Sequence, residues 1–236
     1  MMKKTINLLQ DYLSNKKIDV FFVPKSDEFL SEFIAPYADR LFWISNFSGS
    51  SGIGVIFQNK AAIFTDGRYT IQIKKEVNKN YFEIQDIKNL FNWINIKIKK
   101  KSIVAIDPKL FSKNTIEKIE KSLSSKSVKF LYLEKNPIDL IWRNQPKRLD
   151  SKAFDYKEIY AGKSRQKKIL EIQKCLKKYN CNYYLFTALD SIAWLLNLRG
   201  SDFTYTPLNY CFLILPSNGK PSLFINKKKL DKFNKT

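Results

Sequence analysis

Phe42-Trp43-Ile44-Ser45-Asn46-Phe47-Ser48-Gly49-Ser50 and Ala193-Trp194-Leu195-Leu196-Asn197-Leu198-Arg199-Gly200-Ser201 are two versions of one phrase. They align without a gap: Trp, Asn, Gly and Ser coincide, and the remaining apolar positions agree in character. A stretch repeated at this length marks a supersecondary unit used twice. The surroundings repeat as well. Before the first copy, Ile6, Leu8, Leu9 and Leu13 form an apolar stripe over 4–17, which reads as a helix. Val20-Phe21-Phe22-Val23 then reads as a buried strand closed by Pro24. After the copy, Val55-Ile56-Phe57 and Ala61-Ala62-Ile63-Phe64 flank Gln58-Asn59-Lys60 as a hairpin. The second copy follows a helix over 163–179 and a strand Tyr183-Tyr184-Leu185-Phe186. It precedes a hairpin of Phe212-Leu213-Ile214-Leu215 and Ser222-Leu223-Phe224-Ile225.

The first copy then continues. A helix starts near Tyr69, and a strand follows over 81–87. Next come a helix with Leu90, Trp93 and Ile94, and a strand Ile103-Val104-Ala105-Ile106. A helix over 115–123, with Asn114 as its N-cap, leads to a strand Phe130-Leu131-Tyr132-Leu133. Strands alternating with helices argue for an α/β layer architecture, with the hairpin making the sheet mixed. Residues 143–156 lack periodicity and contain Pro146, so they read as a linker. The second copy has no counterpart to the later elements before Thr236. Its sheet is therefore expected to be incomplete, with an exposed edge and an uncovered face. Trp43 and Trp194 follow the repeat and are expected to anchor the two cores.

Composition narrows the chemistry. Of the 236 residues, 44% are hydrophobic and 27% charged, as in a globular protein, and no apolar run has the length of a membrane span. No signal peptide is recognisable at the start, so a cytoplasmic location is the default expectation. The net charge is +20, but only six of the 42 basic residues are Arg. Lys-rich runs such as Lys97-Ile98-Lys99-Lys100-Lys101 lack interleaved aromatics, so they read as solvated surface and a nucleic-acid partner is not expected. The three cysteines, Cys175, Cys181 and Cys211, have no metal-site spacing. There is no histidine at all. That removes Ser-His and Cys-His nucleophile pairs, the commonest zinc ligand and the usual general base. Asp66, Asp107, Asp190 and Asp202 are scattered one per loop, so no carboxylate metal cluster is expected. Residues 48–52 lack P-loop or dinucleotide spacing and read as a packed turn.

Two stretches go beyond a generic α/β pattern. One runs Ser31-Glu32-Phe33-Ile34-Ala35-Pro36, then 42–52, then Phe64-Thr65-Asp66-Gly67-Arg68-Tyr69. The other runs from Thr187 through Asp202, with Pro207 following. Both resemble the N-terminal half of the three-domain, eukaryotic-type Xaa-Pro aminopeptidases of the creatinase and prolidase family. Ile138-Asp139-Leu140-Ile141-Trp142 resembles the end of that family's first domain. The resemblance covers nearly the whole chain. It implies an α/β fold of two creatinase/prolidase N-terminal-like domains with mixed sheets flanked by helices, the second incomplete. The first is expected over 1–142, the linker over 143–156, and the start of the second, truncated, over 157–236.

The same resemblance implies a cytosolic enzyme that removes the N-terminal residue preceding proline. Its two metal ions, usually manganese, belong to a catalytic pita-bread domain that is absent from this chain. No catalytic residue, metal ligand or cofactor is therefore expected here. The expected partners are a proline-containing peptide, available only with the catalytic domain, and a second copy in a homodimer. One residue carries over: the Arg of Asp-Gly-Arg-Tyr resembles the family's first-domain arginine assigned to peptide binding, which makes Arg68 the substrate-binding candidate. A rigid guanidinium suits a peptide carboxylate or carbonyl. Pairing of Arg68 with Asp66, or capping of a neighbouring element, is the alternative. The loop Arg199-Gly200-Ser201-Asp202 is expected to order structure or line the approach to an active site. Two further readings of the whole chain stay open: a stand-alone interaction module that lost its catalytic domain or pairs with it in trans, and, more remotely, a basic nucleic-acid-binding protein.

Overall fold

The apolar run at Val20 becomes β1 (Val20–Pro24), and all five of its residues are buried. It can be buried on both faces because it lies inside a sheet that has helices on either side. The computed structural model describes residues 2–230, and the chain divides after Pro146 into two units. In the first unit β1 is joined by β2 (Ile53–Phe57), β3 (Ala61–Thr65), β4 (Glu83–Asp86), β5 (Ile103–Ile106) and β6 (Lys129–Tyr132). The order is β4-β3-β2-β1-β5-β6. β2 runs antiparallel to β1 and β3, while β5 is parallel to β1 and β6, and β4 is parallel to β3. Five strands therefore end at one edge of the sheet, and the loop that enters β2 lies at that edge too.

The helices of this unit are α1 (Met2–Asn15), α2 (Arg40–Ser45), α3 (Gln72–Glu76), α4 (Leu90–Lys97), α5 (Lys113–Leu123) and α6 (Pro137–Ile141). Alternation along β1 sorts the two cores. Phe21 and Val23 pack with Ile6, Leu9 and Leu13 of α1 and Leu41 and Ile44 of α2. Val20 and Phe22 pack with Leu90, Trp93 and Ile94 of α4 and Ile119 and Leu123 of α5. Phe22 is 1% exposed, so truncation to Ala would cost about 3–5 kcal/mol. Leu8, grouped with the α1 stripe in the sequence, lies off it and is exposed. The N-cap of α5 is Ser112, whose hydroxyl accepts from the Thr115 amide, and not Asn114. The helix expected near Tyr69 is a 3-10 turn, Gly67–Tyr69, followed by the short α3.

The second unit begins at Lys147, inside the span read as a linker. Residues 147–156 are held there by a strand pair and by hydrogen bonds, so only 143–146 remain outside it. β7 (Phe154–Asp155) pairs antiparallel with β9 (Leu198–Arg199). The other elements are α7 (Glu158–Ala161), α8 (Arg165–Lys178), β8 (Tyr183–Phe186), α9 (Leu189–Leu196), β10 (Cys211–Pro216) and β11 (Ser222–Ile225). β10 is the middle strand, antiparallel to both β8 and β11.

The repeat has a physical identity. Each copy forms a short helix, α2 or α9, and ends it at an Asn in the left-handed region, Asn46 at φ 66° and Asn197 at φ 49°. Asn is among the few residues that tolerate this position. Each glycine is a point of close approach. A Cβ at Gly49 would lie 2.3 Å from the Phe47 ring, and one at Gly200 would lie 2.1 Å from Asn209 Oδ1. The repeated tryptophans are not core anchors. Trp43 is half-buried and stacks on Trp142 with ring centroids 5.4 Å apart, and Trp194 is 48% exposed. The anchors are their neighbours Leu41 and Ile44 in one copy and Ile192 and Leu195 in the other, all at most 1% exposed.

In the second unit the repeated loop is tied down by charge. Asp202, fully buried, accepts from the Ser151 amide (2.8 Å) and hydroxyl (2.9 Å) and from the Tyr210 amide (2.9 Å). Its other charged neighbour is Lys229, which also pairs with Asp150 at 2.9 Å. Lys168 of α8 plays a comparable part at α9, donating to the Trp194 carbonyl (2.9 Å) and to Asn197 Oδ1 (2.6 Å). An ammonium at the last carbonyls satisfies groups the helix itself cannot. Burial, with Arg199 and Lys163 nearby, pushes the Lys168 ammonium below its ordinary pKa.

Candidate functional site

Thr65 ends β3, and the chain turns immediately. The Asp66 carboxylate accepts from the Arg68 amide at 3.1 Å, which sets the turn Gly67–Tyr69 and delivers Arg68 to the sheet edge. The turn therefore owes its shape to Asp66 at its N-terminal position. The Arg68 guanidinium folds back on the same carboxylate through two bonds, Nε to Oδ1 (2.9 Å) and Nη2 to Oδ2 (2.8 Å). Those bonds hold the Asp66 carboxyl well below the usual carboxylate range, and Asp66 in turn raises the arginine. The Arg68 side chain is two-thirds exposed, with its Cζ 5.3 Å from the Tyr69 ring centroid. The pairing of Arg68 with Asp66 read from the sequence exists, and the guanidinium is exposed to solvent.

The glycine-rich turn packs beside it. Ser50 Oγ and Tyr69 Oη are 2.6 Å apart, and Thr65 Oγ1 donates to the Ser51 carbonyl at 2.6 Å. Ser48 gives its amide (2.8 Å) and hydroxyl (2.7 Å) to Glu76 of α3, and Gln72 donates to both partners. Partial desolvation works to raise the Glu76 pKa, but the Ser48 and Gln72 bonds win and hold it low. Phe47 meets the Tyr69 ring edge-on at 5.8 Å. The turn is a packed one, and its Ser48 amide is committed to Glu76. Neither Glu76 nor Gln72 was singled out from the sequence. Their spacing of four on a helix was the only available signal, and that spacing is common.

Further along the same edge lies a cavity of about 230 Å3, lined by Glu28, Arg40, Asp107, Lys109, Glu134 and Asp139 among others. Several of its charges are paired within the protein. Arg40, 3% exposed, makes a bidentate pair with Asp139 (2.8 and 2.9 Å). Asp107 caps the Lys109 amide and accepts from Asn136 at 2.9 Å. Lys109 Nζ donates to the Glu134 carbonyl.

The remaining sequence candidates stay apart. Asp190 bonds locally to Ser191, and Asp202 is the buried hub described above. Arg199 donates to the Ala193 and Leu198 carbonyls and lies over the Tyr156 ring, which orders the repeated loop. Cys175 and Cys181 are exposed, while Cys211 is buried and its thiol is pushed up to about 12, which makes it a poor nucleophile. Among the described residues no three His, Cys, Asp or Glu side chains gather where they could hold a metal ion. The chain has no histidine. No helix among the described residues is long and apolar enough to cross a membrane.

Comparison with known proteins agrees with this layout. Two family models, each described as the creatinase/prolidase N-terminal domain, match residues 6–135 and 144–236. The probable Xaa-Pro aminopeptidase P of Paracoccidioides lutzii is 33% identical over 228 residues, covering 94% of this chain and 37% of that protein. The Neosartorya fischeri protein of the same name is 32% identical over 227 residues, covering 94% of this chain and 35% of that protein. The X-prolyl aminopeptidase of Caenorhabditis elegans, described as a cytosolic enzyme with a di-nuclear active site, superposes with a TM-score of 0.90 at 26% identity. That match covers 98% of this chain and 40% of the other. The chain thus spans well under half the length of the relatives it matches. It belongs to the creatinase/prolidase N-terminal domain family and carries that domain twice, as its repeat at Trp43 and Trp194 announces.

Proposed function

We propose that the chain is the non-catalytic N-terminal portion of a manganese-dependent, cytoplasmic Xaa-Pro aminopeptidase, shaping substrate access and contributing subunit contacts in a homodimer. The observation that carries the proposal is a pairing of two facts. The chain aligns along 94% of its length with proteins named Xaa-Pro aminopeptidase P, yet it has no histidine and spans only 37% of such a relative. Metal ligands and proton-transfer groups then belong to the part of the enzyme outside these residues. Arg68 is the group this chain offers to substrate. Asp66 pre-sets the guanidinium, so less side-chain freedom is lost when its free edge meets a peptide carbonyl or carboxylate.

The test is an activity assay on the purified 236-residue chain with an Xaa-Pro tripeptide and added manganese. No turnover above the buffer blank is expected. Manganese-dependent release of the first residue by this chain alone would overturn the non-catalytic reading.

A further inference from the structure

The fold sorts the charge of the first unit between the two ends of its sheet. Five strands start at the edge opposite Arg68, and the β2–β3 turn lies there too. The connections at that end are 16–19, 58–60, 77–82, 98–102 and 124–128, and they carry eight lysines and one carboxylate. Lys16 and Lys17 lead into β1, and Lys60 closes the hairpin turn. Lys79 precedes β4, Lys99, Lys100 and Lys101 precede β5, and Lys126 precedes β6. The carboxylate, Asp19, is engaged within the fold, where its Oδ2 accepts from the Ile103 amide at 2.7 Å. The loops at the Arg68 edge instead hold seven carboxylates against five basic groups. A lysine-rich composition alone would load both ends alike.

The backbone carries a second mark at the same end. Lys17 and Lys101 lie in the left-handed region, at φ 55° and 62°. That conformation is strained for a residue with a Cβ, and Asn tolerates it better than Lys. Of the other five non-glycine residues found there, three are Asn: Asn46, Asn180 and Asn197. Both lysines in this conformation lie at the basic end. Both are exposed, and neither ammonium has a hydrogen bond or ion pair among the described residues. Strain that no contact within the protein explains points to a use outside it.

We propose that this lysine-bearing end of the first unit is a docking surface for an anionic lipid bilayer. Clusters of lysines of this size are drawn to acidic headgroups by the field of the surface, without fixed contacts. The five connections contain no Arg, the residue suited to bidentate phosphate recognition, and no exposed aromatic on which a base could stack. Those absences favour a bilayer over a nucleic acid. Ile96, in the last turn of α4 beside the 98–102 connection, is 69% exposed and adds an apolar side chain at the same end. Contact of this kind is peripheral and needs no spanning helix. It would also leave the Arg68 edge, at the other end of the strands, facing away from the bilayer.

The test is co-sedimentation of the purified 236-residue chain with vesicles of phosphatidylcholine, with and without about 30% phosphatidylserine. At about 0.1 M salt the chain is expected to bind the acidic vesicles and not the neutral ones, and about 0.5 M salt should release it. Lys17→Asn combined with Lys101→Asn should weaken binding about 25-fold, since each lysine near an acidic surface is worth about fivefold. The same double variant should melt at or above the parent's temperature, because Asn suits the left-handed turn better. Lys174→Gln combined with Lys220→Gln removes the same charge from exposed sites in the second unit, and it should change binding by about twofold or less. No binding to the acidic vesicles overturns the proposal. Equal losses in the two double variants overturn it by reducing the effect to net charge. A clear fall in melting temperature on Lys17→Asn with Lys101→Asn overturns it by making those lysines structural. Tighter binding to duplex RNA than to the vesicles, lost in the same variant, overturns it by naming a nucleic acid as the occupant.

Discussion

Lys229→Met should destabilise the second unit selectively. Asp202 is 0% exposed and Lys229 2%, and the two form the charged centre of the network that fixes the Ser201–Asp202 turn to Ser151. Met keeps the length and apolar body of Lys but removes the ammonium, so the Asp202 charge is left buried. Breaking a buried pair from one side costs about 3–5 kcal/mol. Three hydrogen bonds, from the Ser151 amide and hydroxyl and the Tyr210 amide, remain to solvate the carboxylate, which places the expected loss at the lower end, about 3 kcal/mol. That is a large share of the total stability of a small unit. With a urea slope of about 1–2 kcal/mol per molar, the midpoint falls by about 1.5–3 M. Pulsed hydrogen exchange along a urea series reads the two units separately, with first-unit peptides as the internal control. Asp202→Asn should cost a similar amount, and the double variant should cost less than the sum because both changes break one network. A loss below about 1 kcal/mol, or strict additivity, would refute the claim that this charge pair organises the unit.

Three further changes probe other parts of the account. Gly200→Ala should destabilise the second unit by about 1–3 kcal/mol, because its Cβ meets the buried Asn209 side chain at 2.1 Å; a neutral result in denaturant unfolding would contradict the close-approach reading. Asp27→Asn should gain in stability relative to the parent as pH rises. The Asp27 carboxyl is buried, its Oδ2 has no hydrogen bond, and burial raises its pKa from 3.8. A raised folded pKa gives stability that is full below the unfolded value and lost as pH climbs through the folded one. The amide variant escapes that loss, so the stability difference should widen from pH 4 to pH 7 in paired urea titrations, and a flat difference would contradict the assignment. Arg68→Ala should leave the folded chain's circular dichroism and melting unchanged, since the guanidinium is exposed. In the complete enzyme it should raise KM for Xaa-Pro peptides about tenfold or more, with Arg68→Lys only partly restoring it because the bidentate geometry is lost. An unchanged KM would return Arg68 to a structural role as the partner of Asp66.

The elements were readable where local pattern and tertiary role agree. The β1 run reads as a fully buried strand because it contains no polar residue, and it is one. The repeat was legible because Asn46 and Asn197 share a left-handed helix end and Gly49 and Gly200 share a close approach, so backbone geometry fixes the letters. Where identity reflects something other than burial, the reading failed. Trp43 and Trp194 match in sequence, yet one stacks on Trp142 at the surface and the other lies beneath the Lys168 ammonium half in solvent. The cap of α5 went to Ser112 rather than Asn114, two positions away, because both side chains can cap and only the chain path chooses. The span 147–156 lacks periodicity, but its order comes from long-range partners, the Asp202 carboxylate and the Lys229 carbonyl, that no local window contains. At the candidate site Asp66 and Arg68 were legible as a motif. The bonds of Ser48 to Glu76 and Ser50 to Tyr69 were not, because they join residues 28 and 19 positions apart that only the sheet brings together.

The central claim is that this chain is the front of a larger peptidase. The most direct measurement is the intact mass of the polypeptide captured from native cells with an antibody against the first unit, together with its manganese-dependent cleavage of an Xaa-Pro peptide. The account predicts a species far above 27.7 kDa that releases the residue before proline. A captured species of 27.7 kDa with no such activity, alone or with whatever accompanies it, would contradict the account.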